Sequence, residues 1–425
     1  MTLPRFLKSA FPGFEVIEIK EFLKDGRIDV FLKARDERPT LCHRCHSPLA
    51  AQSFGQYRSR IEGMPIMGLR LFVHFSRERR RCYSCKKVRA ENIPWISEET
   101  PHLSTEYSWW LGRLCEITPV SRVAGLFRKD ETTLWRLDLA RMRRMLQYYR
   151  IPKVTAISVD EVYARKKSRH ARESRDMRFF TVITDLKTRK VIWVAEGRMK
   201  ESLDQFFILL GKDACKQIEV VASDLHEGYA CSIREYCPHA THVWDRFHLM
   251  KIFEEAVNET RKELHEEQSR GSELHRLSRG AYRFLFLKRA SRRTPDERSH
   301  VNDVLKENRG FAKLELIKER MLTFFDSQTE TEAKHVFDEI GDWIWQSGFK
   351  PLMRWHDTFE RGWDTAKNYF RYRVTSALSE GINNVIKTVK RRAYGYRNME
   401  YFRLKIMQVC GYLNSQFINP MISTG

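Results

Sequence analysis

The stretch IEVVASDLHEGYACSIREYCPHATHVWDRFHLM, residues 218–250, decides the fold class. Ile218–Ala222 and Thr241–Trp244 are short apolar runs of the kind that form buried strands, and each leads into a segment of helical periodicity. Upstream, Ala156–Val159, Phe179–Thr184 and Val191–Ala195 read as three further strands. Residues 154–250 therefore run strand, strand, strand, helix, strand, helix, strand, helix. That order predicts a mixed sheet with helices on its faces.

Working outward, residues 13–34 alternate well enough for two short strands, with Asp25-Gly26 as a hairpin turn. Gly68–Phe75 predicts another strand, running into Arg77–Cys85. From about 103 to 150 the pattern is helical, interrupted near Thr118-Pro119. Residues 247–370 read as almost wholly helical and rich in charge and aromatics, and 376–417 as one or two amphipathic helices around a break at Gly395. There is no internal repeat and no low-complexity linker. Of the tryptophans in the long helical stretch, Trp343, Trp345, Trp355 and Trp363, most are expected in a bundle core.

The chain has 425 residues, for which about three domains is the usual expectation, and 42% hydrophobic residues support real cores. With 76 Lys+Arg against 55 Asp+Glu, the formal charge of +21 points to a polyanionic partner, nucleic acid first. No apolar run approaches the ~18 residues of a membrane helix, and the N-terminus lacks the apolar core of a signal peptide. The expected location is the cytoplasm, without membrane contact.

In such an unexported chain nine cysteines do not suggest a disulfide framework. Four of them form two C-x-x-C pairs, Cys42/Cys45 and Cys82/Cys85, which is the ligand count of a closed tetrahedral Zn2+ site. The 36 intervening residues, 46–81, exceed the usual ribbon spacing, but their strand-like sequence allows a hairpin to bring the pairs together. His43 and His46 are substitute ligands, and four unligated thiols or a redox dithiol are the competing readings. Arg79, Arg80 and Arg81 abut the second pair and are expected to touch DNA phosphates.

Thr118–Met142 predicts a short helix, a polar break at Lys129-Asp130, and a second helix, as in a helix-turn-helix. Val120, Val123, Ala124 and Leu126 are expected to pack inward. Thr132, Thr133, Trp135 and Arg136 open the second helix, where Thr132, Thr133 and Arg136 are the candidates for DNA contact. Arg141, Arg143 and Arg144 add positive charge beyond them. An ordinary helical hairpin fits the same pattern.

Asp160 and Asp224 each end an apolar strand, so both carboxylates can converge on a cation without crossing the core. A third acid, Glu380, opens the helical segment SEGINNVIKTVKRRAYGYRNMEYFRLKI. Three carboxylates from distant segments suit a two-metal phosphoryl-transfer site, although each alone also fits a turn or cap residue. Glu161 is expected on the opposite side of its strand from Asp160. Asp245 and His248 either brace the site, contact DNA near the scissile phosphate, or form a helix cap with a nearby histidine. Lys387, Lys390, Arg391, Arg392 and Arg397 surround the third acid and the Gly395 break; with Tyr394 and Tyr396 they are candidates for holding phosphates and stacking on bases.

The segments SVDEVYARK, SDLHEGYACSIREYCPHATHVWDRFHLMK and SEGINNVIKTVKRRAYGYRNMEYFRLKI resemble the ISL-three family of bacterial insertion-sequence transposases. The resemblance implies a multidomain α/β chain: a zinc-ribbon-like N-terminal module at 1–100 and a helix-turn-helix region at 101–150. An RNase H-like catalytic core would follow at 151–254, interrupted by an all-α insertion at 255–375 and resumed at 376–425. Asp160, Asp224 and Glu380 would be its DDE triad, using Mg2+ or Mn2+, and Asp245 and His248 its C/D-x-x-H segment. The implied activity is cleavage at the terminal inverted repeats of an insertion sequence and strand transfer into target DNA. A homodimer or larger assembly would hold the paired ends. A zinc and helix-turn-helix regulator, or a domesticated relative without catalysis, is the alternative.

Overall fold

The computed structural model describes residues 11–36, 38–164, 176–268, 275, 284–374 and 377–414. It is a mixed α/β chain with two mixed five-stranded sheets and many helices. It divides into two compact units, one built from the chain up to Arg150 together with Arg391–Val409, the other from Ile151–Lys390 with Cys410–Tyr412. None of the helices among the described residues is long and apolar enough to cross a membrane.

In the first unit, β1 (Phe14–Phe22) and β2 (Arg27–Ala34) pair antiparallel through the anticipated turn, with Gly26 left-handed at φ 62°. The long strands β3 (Leu49–Ile66) and β4 (Leu69–Cys82) form an antiparallel hairpin. β2 joins β4 in parallel, and β5 (Val88–Ala90) pairs with the far end of β4, giving the order β1-β2-β4-β3 with β5 beside β4. Phe11, Phe14, Phe75 and Trp95 meet edge to face beneath the sheet, with ring centroids 4.9–5.7 Å apart.

Three helices follow, Thr105–Ile117, Val120–Phe127 and Glu131–Tyr148, the first capped by Ser104 and the third by Asp130. The late helix Met399–Val409 also belongs to this unit. Its Lys405 is buried and donates to Asp138 Oδ2 at 2.7 Å, to Gln408 Oε1 at 2.7 Å and to the Cys115 carbonyl at 3.1 Å. Tyr401 donates to the same Asp138 carboxylate.

The second unit holds the sheet foreseen from residues 154–250. Its strands are β6 (Ala156–Tyr163), β7 (Phe179–Asp185), β8 (Lys190–Glu196), β9 (Val220–Ser223) and β10 (Thr241–Trp244), in the order β10-β9-β6-β7-β8. β6, β7 and β8 are antiparallel neighbours, while β9 and β10 run parallel to β6. Ile157, Val159, Ile183 and Val221 face the helices Lys200–Leu210 and Glu227–Tyr236 through Leu203, Phe206, Phe207, Tyr229 and Ile233. Ala156, Val220 and Val243 belong to a separate core with the Arg246–Glu266 helix and a bundle of later helices.

That bundle comprises Pro295–Glu307, Arg309–Phe324, Glu330–Ser347, Lys350–Arg361, Trp363–Ala366 and Asn368–Tyr372. Thr294, Pro295 and Glu297 start it with a capping box. Its centre is aromatic: Phe324, Phe337, Phe359 and Phe370 are buried, each contributing about 1.5–3 kcal/mol. Of the four tryptophans Trp355 is buried and Trp343 and Trp363 pack against the core, but Trp345 is exposed. Trp244, at the end of β10, lies against Gly362, where an added Cβ would fall 1.6 Å from the indole. Only glycine fits there, and the contact ties the bundle to the sheet.

Candidate active site

Strand alternation places the first acid. On β6, Ile157 and Val159 turn toward the Leu203–Phe207 core, and Glu161 continues on that side. Arg198 Nη1 lies 3.4 Å from Glu161 Oε2, and the Tyr229 hydroxyl donates to Oε1 at 3.4 Å. Burial and then the nearby Asp224 charge push the Glu161 carboxyl up to about 7, against the pull of Arg198.

Asp160 points the other way. Asn383 Nδ2 donates to its Oδ2 at 2.8 Å, and the Glu161 backbone N–H donates to its Oδ1 at 2.7 Å. His248 Nε2 lies 3.8 Å from the same Oδ1. Asp160 therefore has a partner from the Arg246–Glu266 helix and one from the Ala377–Arg392 helix.

Asp224 follows β9, with its Oδ1 accepting the His226 N–H at 3.1 Å. Asp245 follows β10 and caps the next helix by accepting from the Phe247 N–H at 2.9 Å. It is thus a helix cap and also a member of the acid cluster. Burial raises both carboxyls above their ordinary range, the Asp160 charge raises them further, and His248 opposes this. For His248, burial favours the neutral ring, but Asp160, Asp224 and Asp245 together raise its basicity. Three carboxylates thus share one imidazole.

Glu380 lies in the first turn of the Ala377–Arg392 helix and is exposed. It stands three residues before Asn383, a spacing that puts both on one helix face. Among the described residues, only two groups of three or more metal-capable side chains bring ligand atoms within 4.8 Å of one another: the four cysteines and His356–Asp357–Glu360. Asp160, Asp224 and Glu380 are not gathered that closely.

A sequence model of a transposase family matches residues 157–406, a span containing every residue of this acid cluster, Glu380 and Asn383. The chain belongs to the ISL-three family of insertion-sequence transposases. It is 26% identical over 409 residues to the transposase for insertion sequence element IS1001 of Bordetella parapertussis, covering 95% of this chain and 98% of the relative. It is 22% identical over 358 residues, 78% of each chain, to the transposase for insertion sequence element IS1557 of Mycobacterium tuberculosis.

In this ISL-three family member the cysteines lie before the matched span. The β3–β4 hairpin places Leu49 opposite Cys82 and so draws the two C-x-x-C pairs together. Each pair sits in the same turn: Cys42 N–H donates to the Ser47 carbonyl at 2.8 Å and Cys82 N–H to the Lys87 carbonyl at 2.9 Å. His46 and Lys86 take the left-handed conformation, and N–H groups of Arg44 and Cys85 point at the Cys42 and Cys82 sulfurs. Cys45 Sγ lies 3.5 Å from that of Cys82 and 3.3 Å from that of Cys85. Hydrogen bonds from Ser47 hold the Cys45 thiol down at about 5. Four sulfurs with N–H donors are a group compatible with Zn2+. His43 and His46 are not part of it.

The Val120–Phe127 and Glu131–Tyr148 helices are joined by a turn with Arg128 left-handed. Val120, Val123 and Ala124 are buried as expected, but Leu126 is 76% exposed and Phe127 packs in its stead. Inward packing of Leu126 is therefore corrected: an eight-residue helix buries only one narrow stripe. Thr132 and Arg136 are exposed and Thr133 is half-buried.

Of the arginines beyond, Arg141 is committed within the protein, whereas Arg143 and Arg144 are exposed beside acids. Arg141 is buried against Glu116, Arg143 pairs with Glu400 at 2.5 Å, and Arg144 lies 3.9 Å from Glu99. Arg79 and Arg81 are exposed, whereas Arg80 pairs with Glu78 at 2.5 Å. Lys387, Arg391, Arg392 and Arg397 are exposed, and Lys390 donates to the Tyr163 carbonyl at 3.1 Å. Asn383 escaped sequence reading. Its only signal was its place one turn after Glu380.

Proposed function

We propose that the chain is a DDE transposase that binds the terminal inverted repeats of its insertion sequence and cuts and joins DNA strands there. The observation that carries this reading is the Asn383–Asp160 hydrogen bond of 2.8 Å. It brings the helix of Glu380 to the strand of Asp160, in a sheet where Asp224 and Asp245 end the next two strands. The strand order, with three antiparallel strands followed by two parallel ones, supports an RNase H-like core at 151–254 and 376–425 with the bundle at 255–375 as its insertion.

Asp160, Asp224 and Glu380 are the residues that would hold catalytic metal. Their hard oxygens suit Mg2+ or Mn2+, and those of Asp160 and Asp224 share the His248 imidazole with Asp245. Divalent ions bound there supply a nucleophile at neutral pH and stabilise the leaving oxygen. The protein's own part is orientation. Asn383 and the Glu161 N–H fix the Asp160 carboxylate, while His248 offsets negative charge beside it. In the first displacement water adds to phosphorus and the 3′-oxygen leaves, taking up a proton. In the second, that 3′-hydroxyl adds to a target phosphorus, loses its proton, and displaces the target strand's own 3′-oxygen.

DNA recognition falls to the first unit: the helix-turn-helix at 101–150, with Thr132, Thr133 and Arg136, and the basic edge of Arg79, Arg80 and Arg81. Lys387, Lys390, Arg391, Arg392 and Arg397 follow the third acid toward the DNA backbone. The cysteine quartet holds Zn2+ as a structural brace for the 1–100 module. A homodimer or larger assembly pairs the two ends.

Two measurements test this reading. With Mg2+ and duplexes carrying the element's own ends, Asp160→Ala and Glu380→Gln are expected to lower strand cleavage at least about 10^3-fold while end binding persists. Cleavage at the wild-type rate by either variant removes the assignment. Elemental analysis is expected to find one zinc per chain, lost in Cys42→Ser. A folded first unit without zinc contradicts the brace.

A further inference from the structure

The Ala377–Arg392 helix ends in an unusual turn. Tyr394 and Gly395 both have positive φ, 51° and 97°. Glycine adopts this conformation freely, but for tyrosine it costs about 1 kcal/mol or more. The strain does not serve to bury the ring: Tyr394 is fully exposed, at 101% of its reference area. Two residues on, Tyr396 does the opposite. Its ring stacks on Phe402 at 4.6 Å and lies 6.0 Å from Trp135, pinning the turn beside the Glu131–Tyr148 helix. Trp135 stands next to Arg136, and Thr132 and Arg136 share one exposed helix face. The turn and the start of that helix therefore present one surface of the first unit.

Its chemistry selects the partner. Arg391, Arg392 and Arg397 are exposed along the turn, and Arg136 is exposed on the helix. A protein partner for a bare aromatic ring would call for apolar neighbours, but here the neighbours are guanidiniums, which match phosphates. A bare aromatic ring flanked in sequence by exposed arginines is suited to stack on a base whose backbone the arginines grip.

We infer that Tyr394 is a base-stacking wedge: beside the recognition helix it enters the transposon end and stacks on a base parted from its neighbour. The inference rests on the end-binding function proposed above. It adds a residue and a deformation of the DNA that binding alone does not require.

The test uses the full chain and end duplexes carrying 2-aminopurine at successive positions. Wild-type protein is expected to change the fluorescence at one or two adjacent positions. Tyr394→Asn, which keeps a residue tolerant of the left-handed turn, is expected to lose that change and to weaken end binding about tenfold. Tyr394→Phe keeps both. Arg136→Ala weakens binding but retains the fluorescence change once the DNA is saturated. Thermal unfolding of Tyr394→Asn is expected at or above the wild-type temperature, since strain is relieved. A fluorescence change that persists in Tyr394→Asn overturns the wedge. So does bound wild-type protein that changes no position. Failure of the wild type to bind end duplexes at all defeats the end-binding function itself and the wedge with it.

Discussion

Asp138 in the first unit and Asp160 in the second are each met by a late segment of the chain, yet their surroundings differ in charge. Lys405, 267 residues away in sequence, donates to Asp138, and Arg141 lies 3.9 Å from its other oxygen while pairing with Glu116. Two acids meet two cations, all close to fully buried. Asn383, 223 residues away, donates to Asp160, but the amide is neutral. Asp224 and Asp245 add to the negative charge, which His248 offsets in part. A cluster with matched charges supports a fold. One with surplus like charge costs stability and is kept where chemistry needs it.

The largest effect that separates the two is functional. Asp160→Ala removes a charge from a crowded set, so the account expects loss of cleavage without loss of stability. A variant that fails to fold would place Asp160 in the same class as Asp138. Next in size is Asp138→Ala, which strands Lys405 as a buried cation while Arg141 keeps Glu116. It is expected to cost about 3–5 kcal/mol, read as a shift in the denaturation midpoint. Wild-type stability in that variant would show that the matched charges contribute little.

A smaller effect comes from Glu62, which accepts from Arg70 at 3.0 Å and also pairs with Lys129. Although burial opposes it, these two cations hold the Glu62 carboxyl below its ordinary value. A depressed folded-state value adds stability above the unfolded pKa of about 4.3. That stability is lost as pH falls through the folded value. Glu62→Gln is expected to be less stable than wild type at pH 7 by about 1–3 kcal/mol, and the gap should narrow as pH falls below about 4.3. A gap independent of pH would assign the loss to packing.

What the sequence revealed, and what it hid, follows the reach of each interaction. The strands of the second sheet were legible because apolar runs and their turns are local, and β6 to β10 fall where those runs lie. Asp160 and Asp224 were legible because each follows the apolar part of its strand, although β6 runs on past Asp160 to Tyr163. The cysteine pairs were legible as pairs, and their meeting followed from the strand-like sequence between them. Asn383 was not legible, since its meaning depends on a strand 223 residues away. Arg141 read as a DNA-facing cation because nothing nearby in sequence announces Glu116 across a helix pair. Arg143 and Arg144 likewise have acidic neighbours in the first unit, Glu400 and Glu99, though both arginines remain exposed. Each such pair cancels one cation against one anion, so the formal surplus of +21 is carried by the other basic residues.

Glu380 is the sharpest point of the account, because it is exposed and joined to Asp160 only through the helix it shares with Asn383. Strand cleavage of the element's own ends with Mg2+, measured for wild type and Glu380→Gln at equal end occupancy, tests it most directly. Nicks bearing 3′-hydroxyls are expected from the wild type and none above background from the variant. Equal nicking by both would contradict a three-carboxylate site.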